Sequence, residues 1–526
     1  MKQIFFIFGL LLLYSCNPKH SGTDNTVEDG EGLSKHLNLT VWAWQVSDPE
    51  LCNEYASYAK NLGFDGIDFC VTWRFIEKER GEYEWTWLDR CLDIFVENGL
   101  NLSLSLMFWS QDLAWTENLC FQQNESGKVF QYDADRGPGL CYNDPQNLEI
   151  IYNTSRAFAT HCIQRCPDKI ERFHARTSCY GELEYSPVED LDFSPPAISA
   201  FLAYLQDKFT TVEEFNKAYR LNIASLEEIK NVPVRTLIDR TRYDWKNFKQ
   251  KTLIELSAGI SQAFKSVAPE VPVAIQVGSI WDQAAASLRG VFDGYLISRD
   301  VDILHIDDGP SYPHYFSIDM ASSLAPERVI SMEIDGAWQI QMFPERDIPG
   351  EYLNQAKQSG ESGVILLNTA NWQTEHLKEW GESLLSLYKN AFFNASPRKP
   401  APPDRAIFVN TSDMTSRDPS MGLDAFLLDI HTELSENGKY RVRFVSEGML
   451  LKNPGILNEL KNGLFLGNYT DIRITPEMAR LLIDAGCPIY GAISKPLLMD
   501  PYGNKLDQEI EDGLLGRIMG LNLPGV

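Results

Sequence analysis

The chain has 526 residues, with 47 Lys and Arg against 73 Asp and Glu, for a formal net charge of −26. Such a surface repels nucleic acid and anionic polymers, so no nucleic-acid partner is expected. A hydrophobic content of 44% is ample for a large core, and the length calls for more than one domain.

The N-terminus reads Met1-Lys2-Gln3, an apolar run from Ile4 to Leu13, and then Tyr14-Ser15-Cys16, the order of an export signal. The run is too short for a permanent membrane span. Leu13-Tyr14-Ser15-Cys16 resembles a bacterial lipobox, which makes residues 1–16 a lipoprotein signal peptide and Cys16 the lipidation site; the alternative is an ordinary secretory signal. Residues 17–36 are polar and acidic, as suits a flexible tether. The expected location is outside the cytoplasm, lipid-anchored to a bacterial membrane on its periplasmic or outer face, with membrane contact through the anchor only.

Nine cysteines remain after Cys16: Cys52, Cys70, Cys91, Cys120, Cys141, Cys162, Cys166, Cys179 and Cys487. Their odd number and the lack of a close CxxC pair argue against a disulfide framework and against structural zinc. Most are expected to be buried small hydrophobes, with room for one or two disulfides. No metal and no cofactor are expected.

From Leu39 onward, short apolar strands alternate with helices. The expected strands are Leu39 to Trp44, Phe64 to Val71, Leu100 to Phe108, Arg172 to Thr177, Val271 to Val277, Val301 to Ile306, Arg328 to Met332 and Gly363 to Leu367. Pro49 to Leu62, Thr86 to Asn98 and Lys246 to Val267 carry apolar residues at helical spacing. Eight such units predict an α/β fold, a (β/α)8 TIM barrel over residues 37–396, with its chemistry at the carboxyl ends of the strands. Polar and aromatic residues crowd there: Trp42, Trp44, Trp73, Trp109, Glu182, Gln276, Asp307, Asp308, Glu333, Asn371 and Trp372. A doubly wound fold would favour a glycine-rich phosphate turn, and no GxGxxG or Walker sequence occurs.

A proline-rich seam, Ser396 to Pro403, ends the barrel. Beyond it, strands at Ala406 to Asn410, Tyr440 to Ser446, Gly463 to Gly467 and Pro488 to Ala492 alternate with helices at Leu423 to Ser435 and Pro476 to Ala485. Residues 404–526 therefore read as a smaller parallel α/β domain.

Two stretches carry the chemistry. Arg176 to Pro187 and Arg328 to Trp338 each run a strand into a glutamate, Glu182 and Glu333. A pair of carboxyl groups at strand ends is what glycosidic bond cleavage requires. Retention of anomeric configuration needs them about 5–5.5 Å apart and inversion about 6.5–9.5 Å. Glu184 shares a strand face with Glu182 and is the alternative acid. The substrate implied is an oligosaccharide or glycoside, and twelve Trp and 21 Tyr suit sugar stacking. His174 and His305, inside strands, read as core residues.

The segment Thr72 to Asp89, with Trp73-Arg74 and Gly81-Glu82-Tyr83-Glu84-Trp85-Thr86-Trp87-Leu88-Asp89, resembles glycoside hydrolase family 42 β-galactosidases and their relatives. The likeness continues at Cys141 to Pro145, Glu214 to Asn222, and Val329 to Glu333 with Trp338. It implies a retaining hydrolase of terminal β-linked hexosides, β-galactosidase-like or β-mannosidase-like, with Glu333 as nucleophile and Glu182 as acid/base. It also implies a flavodoxin-like trimerisation domain after Pro403, hence a homotrimer. That family has Asn before its acid/base, whereas Gly181 precedes Glu182 here. Gly181-Glu182-Leu183-Glu184-Tyr185 instead resembles the acid segment of β-amylases, which leaves an inverting glucan hydrolase open. A third reading is a catalytically weak carbohydrate-binding surface lipoprotein. Trp73, Arg74, Trp109, Asn143, Asp307, Tyr312, Trp338 and Trp372 are the expected sugar contacts.

Overall fold

The computed structural model describes residues 35–520, apart from 112, 114, 132–135, 179, 279–287, 308–312, 336–343, 371, 403, 418–422 and 467–470. Cys16, the signal and the tether through residue 34 lie outside the described residues, as do Cys179, Asp308, Tyr312, Trp338 and Asn371. Among the described residues no helix is long and apolar enough to cross a membrane.

Eight parallel strands close into a barrel: β1 (His36–Trp42), β2 (Gly66–Thr72), β3 (Asn101–Met107), β4 (Ile170–Arg176), β5 (Val273–Val277), β6 (Ile303–Asp307), β7 (Val329–Asp335) and β8 (Leu366–Ala370). Each pairs with the next in sequence, and β8 returns to β1 through His36–Leu366 and Asn38–Asn368. The expected (β/α)8 fold is what forms. β1 stops at Trp42 rather than Trp44, because the Gln45 side chain accepts from the Trp42 N–H at 2.9 Å and the chain turns into a 3-10 helix, Ala43–Val46.

Alternation along the strands sorts two layers. Leu37, Leu39, Val41, Ile67, Phe69, Val71, Leu102, Leu104, Leu106, Ile306, Met332 and Ile334 pack outward in the main apolar core. That core includes residues of α1 (Cys52–Leu62), α2 (Thr86–Glu97) and α3 (Pro145–Arg165). The alternate positions are largely polar and meet across the barrel: Asp68, Ser105, Arg172, His174, Arg176, His305, Ser331 and Glu333, all buried. A barrel lined with charge must satisfy it internally, since an unpaired buried ion costs several kcal/mol.

Between β4 and β5 the chain inserts α4 (Pro195–Lys208), α5 (Val212–Tyr219) and α6 (Val234–Arg240) before the long α7 (Tyr243–Lys265). These helices enclose an aromatic core of their own, including Phe201, Phe215, Tyr219, Trp245 and Phe248. The Glu214 to Asn222 motif belongs here. Thr211 and Glu214 cap the start of α5 reciprocally, so its residues build a helix end far from the barrel strands in sequence.

After the seam, β9 (Arg405–Val409), β10 (Phe444–Ser446), β11 (Gly463–Leu466), β12 (Ile489–Gly491) and β13 (Ile518–Gly520) form a parallel sheet in the order β10-β9-β11-β12-β13. This is the flavodoxin-like order. β13 is additional to the expected strands; it is three residues long and stands at the edge of the sheet. The helix α8 (His314–Leu324), which follows β6, contributes Phe316, Met320 and Leu324 to the core of this sheet. On the same helix, Asp319 accepts from Arg398 of the seam, from His431 Nε2 at 2.9 Å and from the Val442 N–H at 3.0 Å. The described residues from 35 to 520 accordingly form one compact unit.

The eight described cysteines after Cys16 are free thiols, all buried except the half-buried Cys120.

Candidate active site

β4 ends at Arg176, and the turn that follows is wound around one hydroxyl. Ser178 Oγ accepts from the backbone N–H groups of Tyr180, Gly181 and Glu182, each at 3.2 Å, while the Ser178 N–H donates to the Glu182 carbonyl at 3.0 Å. The segment then ties to the end of β5: the Leu183 N–H donates to the Gln276 carbonyl at 2.8 Å and the Tyr185 N–H to the Arg289 carbonyl at 2.9 Å. Both Glu182 and Glu184 are thereby buried at the barrel mouth, at 7% and 1% exposure.

The turn explains the glycine where the family pattern has asparagine. Gly181 sits at φ +112°, beyond the left-handed region that asparagine tolerates. A Cβ there would find its nearest neighbours at 3.6 and 3.7 Å, so backbone strain and not crowding selects glycine. Gly181→Asn, although it restores the family residue, is expected to cost about 1–3 kcal/mol of stability. It should lower kcat as well; an unchanged unfolding midpoint with raised activity would refute this.

Glu333 lies within β7, in register with Asp307 of β6 and Asn368 of β8. Its Oε2 accepts from Arg176 Nη2 at 3.2 Å and from His305 Nε2 at 3.3 Å. Arg176 and Arg172 also reach Asp68 of β2, each at 3.4 Å, so two guanidiniums and two carboxylates balance inside the barrel. Burial alone would push the Glu333 carboxyl up, but Arg176 and the His305 hydrogen bond hold it down at about 2. It is therefore ionised near neutral pH.

Glu182 is set the other way. Burial raises it, Arg289 and Arg176 oppose that rise, and the Glu333 charge adds to it. Its Oε2 is buried and has no hydrogen-bond partner among the described residues. Burial likewise pushes Glu184 up, to about 8, but its Oε2 accepts from the Gly278 N–H and from Arg289 Nη1, both at 3.3 Å. Glu184 is thus tied to Gly278 and Arg289, and Glu182 is the carboxyl that feels the Glu333 charge.

Above the pair stands an aromatic wall. Trp42 and Trp44 stack at 4.6 Å between ring centroids, and Trp109 stacks on Trp44 at 5.5 Å and on Trp42 at 6.3 Å. The Arg176 guanidinium lies over Trp42 at 5.4 Å, and Trp109 Nε1 donates to the Ser178 carbonyl at 3.3 Å. Trp44 keeps 39% of its surface exposed, offering a flat apolar face next to the carboxyl groups. Buried polar atoms without a hydrogen-bond partner among the described residues include Trp42 Nε1, Gln276 Oε1 and both amide atoms of Asn368. Such atoms are what sugar hydroxyls satisfy.

Of the expected sugar contacts, Trp109 joins this wall, and Asp307 lies beside Glu333 on the neighbouring strand. Asn143 donates to Thr252 Oγ1 at 3.1 Å and keeps a buried, unpartnered Oδ1, but Asp144 and not Asn143 caps the helix that follows. Two of the expected contacts are fully buried. Trp73 is fully buried, edge-on to Phe108 and Trp115 with its N–H on Glu77 at 2.5 Å, so both ring faces and its donor are used by the core. Trp372 is also fully buried and packs in the main apolar core. Arg74 lines a separate surface hollow with Phe75, Lys78, Glu84 and Trp87. Tyr312 and Trp338 lie outside the described residues. Arg176 and His305 were not among the expected site residues, although Arg176 stands six positions before Glu182 in the quoted motif. Among the described residues, no group of three or more His, Cys, Asp or Glu is placed to hold a metal ion.

Comparison with known proteins agrees with this architecture. Residues 149–367, which hold both glutamates, match the glycoside hydrolase family 42 model described as beta-galactosidase. Beta-galactosidase BgaB of Geobacillus sp. (strain Y412MC61) is 22% identical over 235 residues, 43% of this chain and 33% of that protein. The matched stretch therefore spans about a third of the length of such a relative. The crystal structure of beta-galactosidase from Bacillus circulans sp. alkalophilus superposes with a TM-score of 0.69 at 13% identity, covering 90% of this chain and 73% of that one. The catalytic domain of beta-amylase from Paenibacillus polymyxa superposes at 0.53 and 14% identity, covering 70% of this chain and all of that one. Both likenesses speak to the fold. With the family model matched from before β4 into β8 and the barrel closed, this chain resembles the glycoside hydrolase family 42 β-galactosidases.

Proposed function

We propose that the chain is a retaining glycoside hydrolase acting on terminal β-linked hexosides, β-galactosides or related β-mannosides. The observation that carries this is the opposite setting of two buried carboxyl groups that feel each other's charge: Glu333 held ionised by Arg176 and His305, Glu182 pushed toward its protonated form. That division is what double displacement needs. Glu333 attacks the anomeric carbon while Glu182 gives its proton to the departing glycosidic oxygen. Glu182, now ionised, then takes a proton from water as the water displaces Glu333 from the sugar. Trp44 and its neighbours supply a stacking face for the sugar ring. The exported, lipid-anchored location through Cys16 and a trimer through the α/β domain belong to the same proposal, supported by the order of residues 1–16 and by the strand order of the second sheet.

The Gly-Glu-Leu-x-Tyr turn favours one rival, an inverting glucan hydrolase. Proton NMR of the first product formed from an aryl β-galactoside or β-mannoside separates the two. A β-anomer supports retention; an α-anomer, or turnover of α-glucan alone, would replace the retaining reading. Oligosaccharide binding without turnover of any glycoside would leave a binding protein.

A further inference from the structure

The nucleophile reading of Glu333 leaves unexplained why the barrel interior beneath it carries a chain of polar side chains with no contact to solvent. His305 Nε2 is 3.3 Å from Glu333 Oε2, and His305 Nδ1 is 2.6 Å from Ser331 Oγ. Ser331 Oγ is in turn 2.8 Å from Arg172 Nη1. These residues come from β6, β7 and β4, and each is completely buried.

The direction of every proton in this chain can be assigned. A guanidinium only donates, so Ser331 Oγ accepts from Arg172. An ionised carboxylate only accepts, so Nε2 is the protonated nitrogen of His305. The imidazole is neutral, brought down to about 4 by burial, against the hydrogen bond to Glu333 and with Arg172 and Arg176 adding to the fall. A neutral ring protonated at Nε2 has a lone pair at Nδ1, so the Ser331 hydroxyl donates there. The groups facing the ring are Ser331 and Glu333 from β7, Arg172, Arg176 and His174 from β4, and Gln276 from β5, in register with His305; the His174 ring lies at 6.1 Å. Among these, only Glu333 bears negative charge.

We propose that Arg172 and Ser331 form a tautomer lock: they fix His305 with its proton on Nε2, aimed at the nucleophile, so that Glu333 always meets a donor and never a lone pair. His305, Ser331 and Arg172 are positioning residues acting through Glu333. In this arrangement Arg172 occupies one of the two Ser331 lone pairs, and the hydroxyl hydrogen is turned to the Nδ1 lone pair. Without that hydroxyl only the Glu333 charge holds the proton on Nε2, and a proton moved to Nδ1 would leave the Nε2 lone pair facing the carboxylate. Which ring nitrogen carries the proton is set by what the other one meets, and a wrong tautomer is costly in catalysis.

The proposal rests on the nucleophile reading for its effect on rate, but not for its tautomer. The test therefore has two readouts. Long-range proton–nitrogen NMR on protein labelled with nitrogen-15 histidine, with His305→Gln identifying the resonance, is expected to show the Nε2–H tautomer at pH 7. In Ser331→Ala the pattern should shift toward Nδ1–H or an exchanging mixture, and in Ser331→Thr, which keeps the hydroxyl, it should return. An Nδ1–H ring or an imidazolium in the wild type at pH 7, or a ring unchanged in Ser331→Ala, would overturn the lock. In kinetics, Ser331→Ala is expected to lose roughly tenfold or more in kcat on an aryl β-glycoside, the usual scale for removing an outer-shell hydrogen bond. Its acidic limb should move up by about one pH unit, since one donor to the carboxylate is weakened. Ser331→Thr should restore both, and a merely structural loss would leave the limb in place. An intact tautomer in a protein that turns over no glycoside would sink the nucleophile reading while leaving the lock standing.

Discussion

Replacing Glu333 by alanine is expected to abolish hydrolysis of aryl β-glycosides, with kcat falling by ~10⁴-fold or more, the scale of removing a nucleophile that works as a unit with its partners. No leaving group should rescue it, because the bond that must form at the anomeric carbon has lost its electron pair. The change also strands charge. Arg176 would face only Asp68, and His305 Nε2 would lose its acceptor. Breaking a buried pair in this way costs about 3–5 kcal/mol. Glu333→Gln separates the effects: it keeps an acceptor for both donors, so its urea midpoint should lie closer to wild type than that of Glu333→Ala while both remain inactive. A Glu333→Gln variant with more than a hundredth of wild-type kcat would remove Glu333 from the nucleophile role.

Glu182→Ala should behave differently. Loss of a general acid costs typically about 10²–10⁴-fold, but only where the leaving group needs the proton. Dinitrophenyl glycosides should react at near wild-type rates in the first step, and azide should accelerate the second by taking the place of water, giving a β-glycosyl azide. The pH profile supplies a second signature. Glu182 works protonated and burial raises it, so activity is present below its pKa and falls as pH rises through a value above the ordinary carboxyl range. That basic limb should vanish in Glu182→Ala. Glu184 is pushed up to about 8 by the same burial, so it is the group most able to imitate the limb. Azide rescue in Glu184→Ala and not in Glu182→Ala would transfer the acid role to Glu184.

Much of this architecture was legible in the residues. The eight barrel strands fall within a few positions of their expected spans because outward positions such as Leu37, Leu39 and Val41 must be apolar to meet the helix layer. The glutamates stood out because each follows a run of such alternation. What could not be read was which residue faces which. Arg176 and Glu333 are 157 positions apart, and Arg172 and Ser331 are 159. Their pairing follows only from closure of the barrel. His305 reads as a core histidine, and it is one, fully buried; its contact with Glu333 is fixed by β6–β7 register. Trp73 and Trp372, both buried, show the converse limit. A tryptophan at a strand end resembles a sugar platform, but sequence alone does not say whether another ring already covers it. Trp42 and Trp44 are two residues apart, yet the turn begun by Gln45 folds one indole onto the other.

The helix α8 belongs to two neighbourhoods at once. Asp319 and Phe316 face the flavodoxin-like sheet, while Ile318 and Ala321 of the same helix sit in the barrel core. A cut at the proline-rich seam would therefore not release two modules. It would strip an apolar flank from the barrel and leave Asp319 buried without Arg398 or His431. The barrel is not portable as a cassette: a recombination junction at Pro397 to Pro403 would part Asp319 from His431 and α8 from part of its apolar contacts.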